Sequence, residues 1–369
     1  MVRYFCVMPD EILTFQVYFI FDENFNIPCL TKPHFAGIIP YTQIQGKMNT
    51  FKSLLHMIDT LSTEDECREY LEELVWHGHP KCPYCSCSQE PWLLTSFGRF
   101  RGMYKCPHCR KRFNVKVGTM FEGSHIPLKK WFYAIYIFLA HKKGISSVQL
   151  AKDISVTQKT AWFMLCRIRE NLKDEVTFNE DTQVDETYVG GKTKKSKGGQ
   201  GRSLKQKTPV FGLLSKGKVH ARVIPDAKKR TLQTIIDELV QTGTRIISDC
   251  WKGYNDVQKN YLHETVAHHL DEYVNKNGYH TNSIEGFWSL LKRGIIGIYH
   301  LVTAKHLPKY CKEFVYRYNT RDLSDGDRFE EFLKSKHDRY YYGEIIMSPE
   351  YVESKLRIAW EREVRFKNY

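Results

Sequence analysis

Three carboxylates sit where they could do chemistry together: Asp185 in the run QVDETYV, Asp249 closing RIISD, and Glu285 in HTNSIEGFWSLLKRGIIGIYH. Carboxylates that converge repel one another unless cations lie between them, and their hard oxygens suit two Mg²⁺ or Mn²⁺ ions about 3.5–4 Å apart. Such a pair activates a water or a 3′-hydroxyl and steadies a leaving oxygen, which is in-line phosphodiester chemistry with no covalent enzyme intermediate. Four thiols form the second chemical group, Cys82-Pro-Tyr-Cys85 and Cys106-Pro-His-Cys109. Each CxxC turn delivers two thiolates to one side of a metal, so two pairs predict one tetrahedral structural Zn²⁺. A redox dithiol would need only one pair. Cys87, a fifth thiol in reach, reads as a bystander.

These groups need elements to position them. From Asn282 to about Ile295 the pattern is helical: Asn282, Glu285, Ser289 and Lys292 share one polar face, while Ile284, Phe287, Trp288, Leu290, Leu291 and Ile295 fill most of the rest. By itself such a stripe reads equally well as the water-facing side of a packed helix. Upstream, the Asp185 strand runs into Gly190-Gly191. Strands over Pro209–Ser215 and Lys218–Pro225 follow, joined by a Lys216-Gly217 hairpin turn. Next come an amphipathic helix over Thr231–Gln241, a buried strand Arg245–Asp249 and a last strand over Glu264–His268. That order predicts a ribonuclease-H-like mixed α/β sheet. In it the first and fourth strands lie side by side, the late helix crosses them, and the three acids meet at one end. Glu186, Asp226, Asp237 and Asp271 read as surface or capping acids.

The 369-residue chain has room for several cores, and its hydrophobic and charged fractions, 42% and 26%, are those of an ordinary globular protein. Its net charge of +13 favours a polyanionic partner, nucleic acid before membrane. No apolar run reaches the about 18 residues a spanning helix needs. Eleven dispersed cysteines, with four in CxxC pairs, suit a reducing compartment, so a cytoplasmic or nucleoid-associated protein is expected. Residues 1–47, poor in Lys and Arg and without a motif, read as a non-native or disordered extension, with Met48 as the natural start. Residues 48–80 form N-terminal helices, with a capping box at Ser62-Thr63-Glu64-Asp65-Glu66. The zinc ribbon spans 81–120, with strands at Trp92–Leu94 and Phe100–Lys105 around Gly98. Arg99, Arg101, Lys105, Arg110, Lys111 and Arg112 surround it, so it either touches nucleic acid or props up its neighbours.

Residues 125–172 read as a helix-turn-helix: Ser147 to Asp153, a turn at Ile154-Ser155-Val156, then Thr157 to Asn171. Gln158 and Lys159 then face DNA. The insert Lys192 to Lys207 holds seven Lys or Arg and no acid; Lys192, Lys194 and Lys195 begin what reads as a phosphate-tracking arm. A catalytic domain covers 177–321 and a charged tail 322–369, the whole being a multidomain α+β chain.

VDETYVGGK, SDCWKGY and HTNSIEGFWSLLKRGIIGIYH followed by KEFVYRYNTR resemble the DDE-type insertion-sequence transposases of the Merlin-related group, with their ISXO-type catalytic domain, over about Met48 to Arg321. Such proteins carry a zinc ribbon and helix-turn-helix ahead of a ribonuclease-H-like domain. The resemblance implies a transposase that binds terminal inverted repeats, cleaves DNA and joins the 3′-OH ends to target DNA as a homo-oligomer. It implies that Asp185, Asp249 and Glu285 are the catalytic metal ligands and that Lys292, with Arg293, meets the transposon-end DNA. The third position varies between Glu and Asn in that group, and Asn282 is also on offer here. Glu285 is preferred, because a carboxylate binds Mg²⁺ better than a carboxamide. Two other functions compete: a catalytically silent DNA-binding regulator, which the intact acids argue against, and a nuclease without strand transfer.

Overall fold

In the computed structural model the described residues are 51–85, 87–94, 102–173, 176–190, 207–267, 273–335, 337–341 and 343–344. The 1–47 extension, the start of the basic arm with Lys192, Lys194 and Lys195, and the end of the tail lie outside them.

A helical head comes first. Helix α1 (Leu54–Thr60) is capped by the Ser53 hydroxyl. Helix α2 (Glu64–Trp76) opens with the expected capping box, Thr63 and Glu66 each holding the other's backbone N–H, and stops at left-handed His77. Helix α3 (Leu128–Ala140) has no side-chain cap of its own at Pro127. The carboxylate of Glu64, at the start of α2, accepts from the N–H groups of Leu128 and Lys129 at 2.8 and 3.1 Å instead. This satisfies two of the orphan donors of α3 and places an anion at the positive end of its dipole. Leu128, Trp131, Phe132, Ala134, Ile135, Tyr136, Phe138 and Leu139 are all buried, so α3 is apolar nearly all round and lies at the centre of the head.

Helices α4 (Ser147–Asp153) and α5 (Gln158–Glu170) follow, capped by Ser146 and Thr157, with Ser155 left-handed in the turn between them. Their spans are those the sequence predicts. Between α2 and α3 lies a small antiparallel sheet, β1 (Trp92–Leu93), β2 (Tyr104–Lys105) and β3 (Arg112–Phe113), its rings packed with Trp76 at the end of α2.

The larger sheet contains β4 (Thr182–Val189), β5 (Thr208–Ser215), β6 (Lys218–Val223), β7 (Arg245–Asp249) and β8 (Leu262–Val266), in the order β6-β5-β4-β7-β8. The first three strands are antiparallel to their neighbours, whereas β4–β7 and β7–β8 are parallel. Lys216 and Gly217 both have positive φ, the conformation a two-residue hairpin needs to match strand twist. Helix α6 (Lys229–Leu239) covers one face: Leu232, Ile235 and Ile236 pack with Val184, Phe211, Leu213 and Ile246. Helices α7 (Asn282–Gly294) and α8 (Leu307–Asn319) cover the other, where Ile284, Phe287, Trp288 and Leu291 join Val210, Leu214, Val219, Phe314 and Val315. The alternation Val210, Phe211, Leu213, Leu214 between the two cores is the period of two of a strand buried on both faces.

Helix α7 ends as the sequence predicts, but a π-helical turn, Ile295–Tyr299, continues it. Helix α9 (Asp325–Lys334), within the stretch read as a charged tail, returns to the head. There Phe329 packs on Phe132 and Tyr136 at ring distances of 5.6 and 5.7 Å. The head and sheet meet at a buried ion cluster. Glu313 of α8 accepts from Arg169 of α5 at 2.6 Å, from Arg317 at 2.8 Å and from the Tyr299 hydroxyl at 2.6 Å. Arg317 also donates to the carbonyls of Phe138, Leu139 and His141, so it caps the end of α3.

Candidate active site

The parallel pairing of β4 and β7 aligns Thr182 with Ile246 and Gln183 with Ile247. Two residues further along the same register, Asp185 comes level with Asp249. Alternation turns Gln183, Asp185, Ile247 and Asp249 to the α7 side and Val184 and Glu186 to the α6 side. Each acid is tied locally. Asp185 Oδ2 accepts from the indole Nε1–H of Trp288 at 2.9 Å, Asp249 Oδ1 from the N–H of Trp251 at 3.0 Å, and Glu186 Oε2 from the Tyr254 hydroxyl at 2.6 Å.

The electrostatics of this end of the sheet are one-sided. Burial raises the Asp185 carboxyl, the charges of Glu186 and Asp249 raise it further, and it reaches about 7. Glu186 is also raised, by burial and by Asp249, although the Tyr254 hydroxyl opposes this. Among the described residues, no lysine or arginine is one of the leading influences on either group. A half-buried cluster of acids that raise one another is an environment in which carboxyls hold protons or take a metal ion.

Glu285 lies on the first turn of α7, and Asn282 is the first residue of that helix; both are exposed, as are Ser289, Lys292 and Arg293. The polar stripe is therefore present as read. Three hydrogen bonds hold α7 against β4: the Ile284 N–H donates to Gln183 Oε1 at 3.1 Å, Gln183 Nε2 donates to the Ser283 hydroxyl at 3.4 Å, and Trp288, one turn beyond Glu285, reaches Asp185. Asp185 and Asp249 thus act on each other while Glu285 stands on the rim. Among the described residues, the acids do not close on a common point. The donor set of carboxylate oxygens still fits a hard divalent cation such as Mg²⁺ or Mn²⁺.

The sequence reading missed Glu186 and the two aromatic donors. Taken for a surface acid, Glu186 is half-buried beside Asp249's charge. Its signal was its place two residues beyond Val184, on the strand face that α6 covers. Trp288 and Tyr254 read only as core rings, because a ring pattern does not say which polar atom its N–H or O–H will find.

The four thiols of Cys82, Cys85, Cys106 and Cys109 all lie within 4.8 Å of one another. Cys82–Cys109 and Cys85–Cys106 are 3.6 and 3.5 Å apart, near the ~3.8 Å edge of a tetrahedron with Zn–S bonds of about 2.3 Å. The set fits one structural Zn²⁺. Cys87 comes within 3.4 Å of the Cys106 sulfur but lies outside the four-thiol group. Gln158 and Lys159 are exposed at the start of α5, Gln158 donating to the Ser147 hydroxyl at 2.8 Å. The other end of α5 is buried, from Met164 to Arg169. No helix among the described residues is long and apolar enough to cross a membrane.

Comparison with known proteins agrees with the sequence resemblance. Residues 177–319 match the family of ISXO2-like transposase domains, and residues 62–112 match the transposase zinc-ribbon domain. The chain is 28% identical over 277 residues to an uncharacterized protein in transposable element ISH50 of Halobacterium salinarum, covering 70% of this chain and 92% of that one. It is 25% identical over 108 residues to an uncharacterized transposase-like protein of Haemophilus influenzae, covering 29% of this chain and 86% of that one.

Proposed function

Given an ISXO2-like transposase domain behind a transposase zinc ribbon, we propose that this protein is a DDE-type DNA transposase. It binds the terminal inverted repeats of its element, cleaves there, and joins the freed 3′-OH ends to target DNA. One observation carries the reading: along the β4–β7 register Asp185 comes level with Asp249 on the face where α7 packs on β4, and burial, Glu186 and Asp249 together raise its carboxyl. The strand order, with the first and fourth strands adjacent and α7 packed on β4 and β5, supports a ribonuclease-H-like fold.

Asp185, Asp249 and Glu285 would hold two Mg²⁺ or Mn²⁺ ions, with Asn282 the other candidate for the third place. When bound, such a pair supplies an activated water or 3′-hydroxyl and charge stabilisation at the leaving oxygen. The remaining work falls to the chain itself. Lys292 and Arg293 continue the Glu285 stripe and meet backbone phosphates of the end DNA. Gln158 and Lys159, at the exposed start of the second helix of a helix-turn-helix, reach base edges. The basic arm adds affinity that falls with salt, and a homo-oligomer holds both ends.

The test incubates purified protein with terminal-repeat DNA, a target plasmid and Mg²⁺. Joined products are expected from the wild type, and end binding without joining from Asp185→Ala and Asp249→Ala. Cleavage without joining would make the protein a nuclease, and binding alone a regulator. Joining at the wild-type rate by either variant would sink the assignment of the site. Comparing Glu285→Ala with Asn282→Ala decides the third ligand.

A further inference from the structure

The indole of Trp288 is 4% exposed, and a buried indole N–H needs a partner. Its partner is an oxygen of Asp185, 2.9 Å away. On the neighbouring strand, the residue opposite Asp185 is Gly212. A Cβ at Gly212 would lie 2.6 Å from the Cζ2 and Cη2 atoms of Trp288, and 3.2 Å from Ile284 Cδ1. Gly212 is not among the residues with positive φ. Its place inside a strand therefore has no conformational reason, and glycine there weakens a strand. What its missing side chain provides is room for the indole, at the one register position level with the acid the indole holds.

The contact joins two elements. Trp288 is one turn beyond Glu285 on α7, and the same helix is tied to β4 through the Ile284 N–H and Gln183. A single ring therefore spans from the helix of one acid to the strand of another.

We infer that Trp288 and Gly212 are a positioning pair for the acid site, the indole N–H fixing the rotation of the Asp185 carboxylate and Gly212 admitting the ring that sets the distance from β4 to the Glu285 turn of α7. This rests on the reading of Asp185 as a ligand for a divalent cation. Hydrogen-bond partners of metal ligands commonly set affinity by about 10–100-fold.

The experiment uses the full-length, zinc-loaded protein and Mn²⁺ binding followed by electron paramagnetic resonance. Trp288→Phe keeps a ring and removes the N–H; its dissociation constant for Mn²⁺ should rise about tenfold. Gly212→Ala, which keeps the N–H and displaces the ring, should weaken binding in the same direction. A second readout needs no variant in the core: the Trp288 indole N–H resonance of ¹⁵N-labelled wild type should move on adding Mg²⁺, and stay fixed in Asp185→Asn. Wild-type Mn²⁺ affinity in both Trp288→Phe and Gly212→Ala, with affinity lost in Asp185→Asn, would overturn the positioning role and leave the site standing. An unmoved resonance in the wild type would overturn it too, even if both core variants failed to fold. Unchanged Mn²⁺ affinity in Asp185→Asn would remove the site itself, and the inference with it.

Discussion

Glu313 and the Asp185–Glu186 pair are both buried acid sites, and in each a tyrosine hydroxyl donates to a glutamate at 2.6 Å, Tyr299 to Glu313 and Tyr254 to Glu186. The difference lies in the charges around them. Burial is the largest influence on Glu313 and pushes it up, but Arg169 and Arg317 together outweigh it and hold the carboxyl below its usual range. At Asp185 burial acts in the same direction and the neighbouring acids add to it. Glu313 joins α5, α8 and the turn after α7 with its counter-charges built into the chain. At Asp185 the residue of α7 that meets the acid is Trp288, and no lysine or arginine of the described residues is among the leading influences on it. The carboxylate that holds elements together is answered by cations of the chain, whereas Asp185 is raised by its acidic neighbours, which suits the external cation proposed for it.

The comparison breaks most readily at Glu313. Glu313→Ala leaves Arg169 and Arg317 buried without their acid; Arg169 is 1% exposed, reaches Glu313 through Nε, and has no hydrogen-bond partner at its two Nη atoms. A loss of about 3–5 kcal/mol is expected from urea unfolding; a loss below about 1 kcal/mol would mean the cluster relaxes or hydrates freely. Asp185→Asn should have the opposite sign. It keeps an acceptor for Trp288, removes a disfavoured charge, and should gain about 1–3 kcal/mol at pH 8 when zinc is the only metal bound.

That gain depends on pH. The Asp185 carboxyl titrates near 7 in the folded chain against an ordinary 3.8. Its stabilising contribution is full below about 4 and is lost as the pH rises through about 7. The advantage of Asp185→Asn should therefore shrink toward zero between pH 8 and 4. A gain independent of pH would assign it to packing rather than charge. The smallest effect compares the two tyrosines. Tyr299→Phe removes a donor from an ionised acid and should cost about 1 kcal/mol more than Tyr254→Phe, whose partner is held closer to neutrality. Equal costs would erase the distinction between the two sites.

Much of the frame was legible in local pattern. The Thr63–Glu66 capping box, the helix from Asn282 and the turn between α4 and α5 each rest on residues within four positions of one another, and the structure places them where the pattern does. Asp185 and Asp249 stood out because each lies on a predicted strand, and the order of the elements sets those two strands side by side. What was not legible is non-local. The last strand begins at Leu262, two residues before the sequence suggests, because its pairing with Arg245–Asp249 sets its limits. Strand β3 is two residues long and exists through its pairing with β2. The capping of α3 by Glu64 and Arg317 joins segments far apart in sequence, and so does the approach of Trp288 to Asp185. No window of residues encodes which partner such groups will meet.

The return of α9 to the head has a consequence for synthesis. The ribosome releases Phe132 and Tyr136 long before Phe329, the ring that covers them. Throughout translation of the sheet, the first five helices present an open apolar face of the kind chaperones bind and proteases cut. A message broken or stopped anywhere before the codon for Asp325 leaves that face uncovered for good. Any fragment that ends before Asp325 thus lacks the helix that packs on Phe132 and Tyr136.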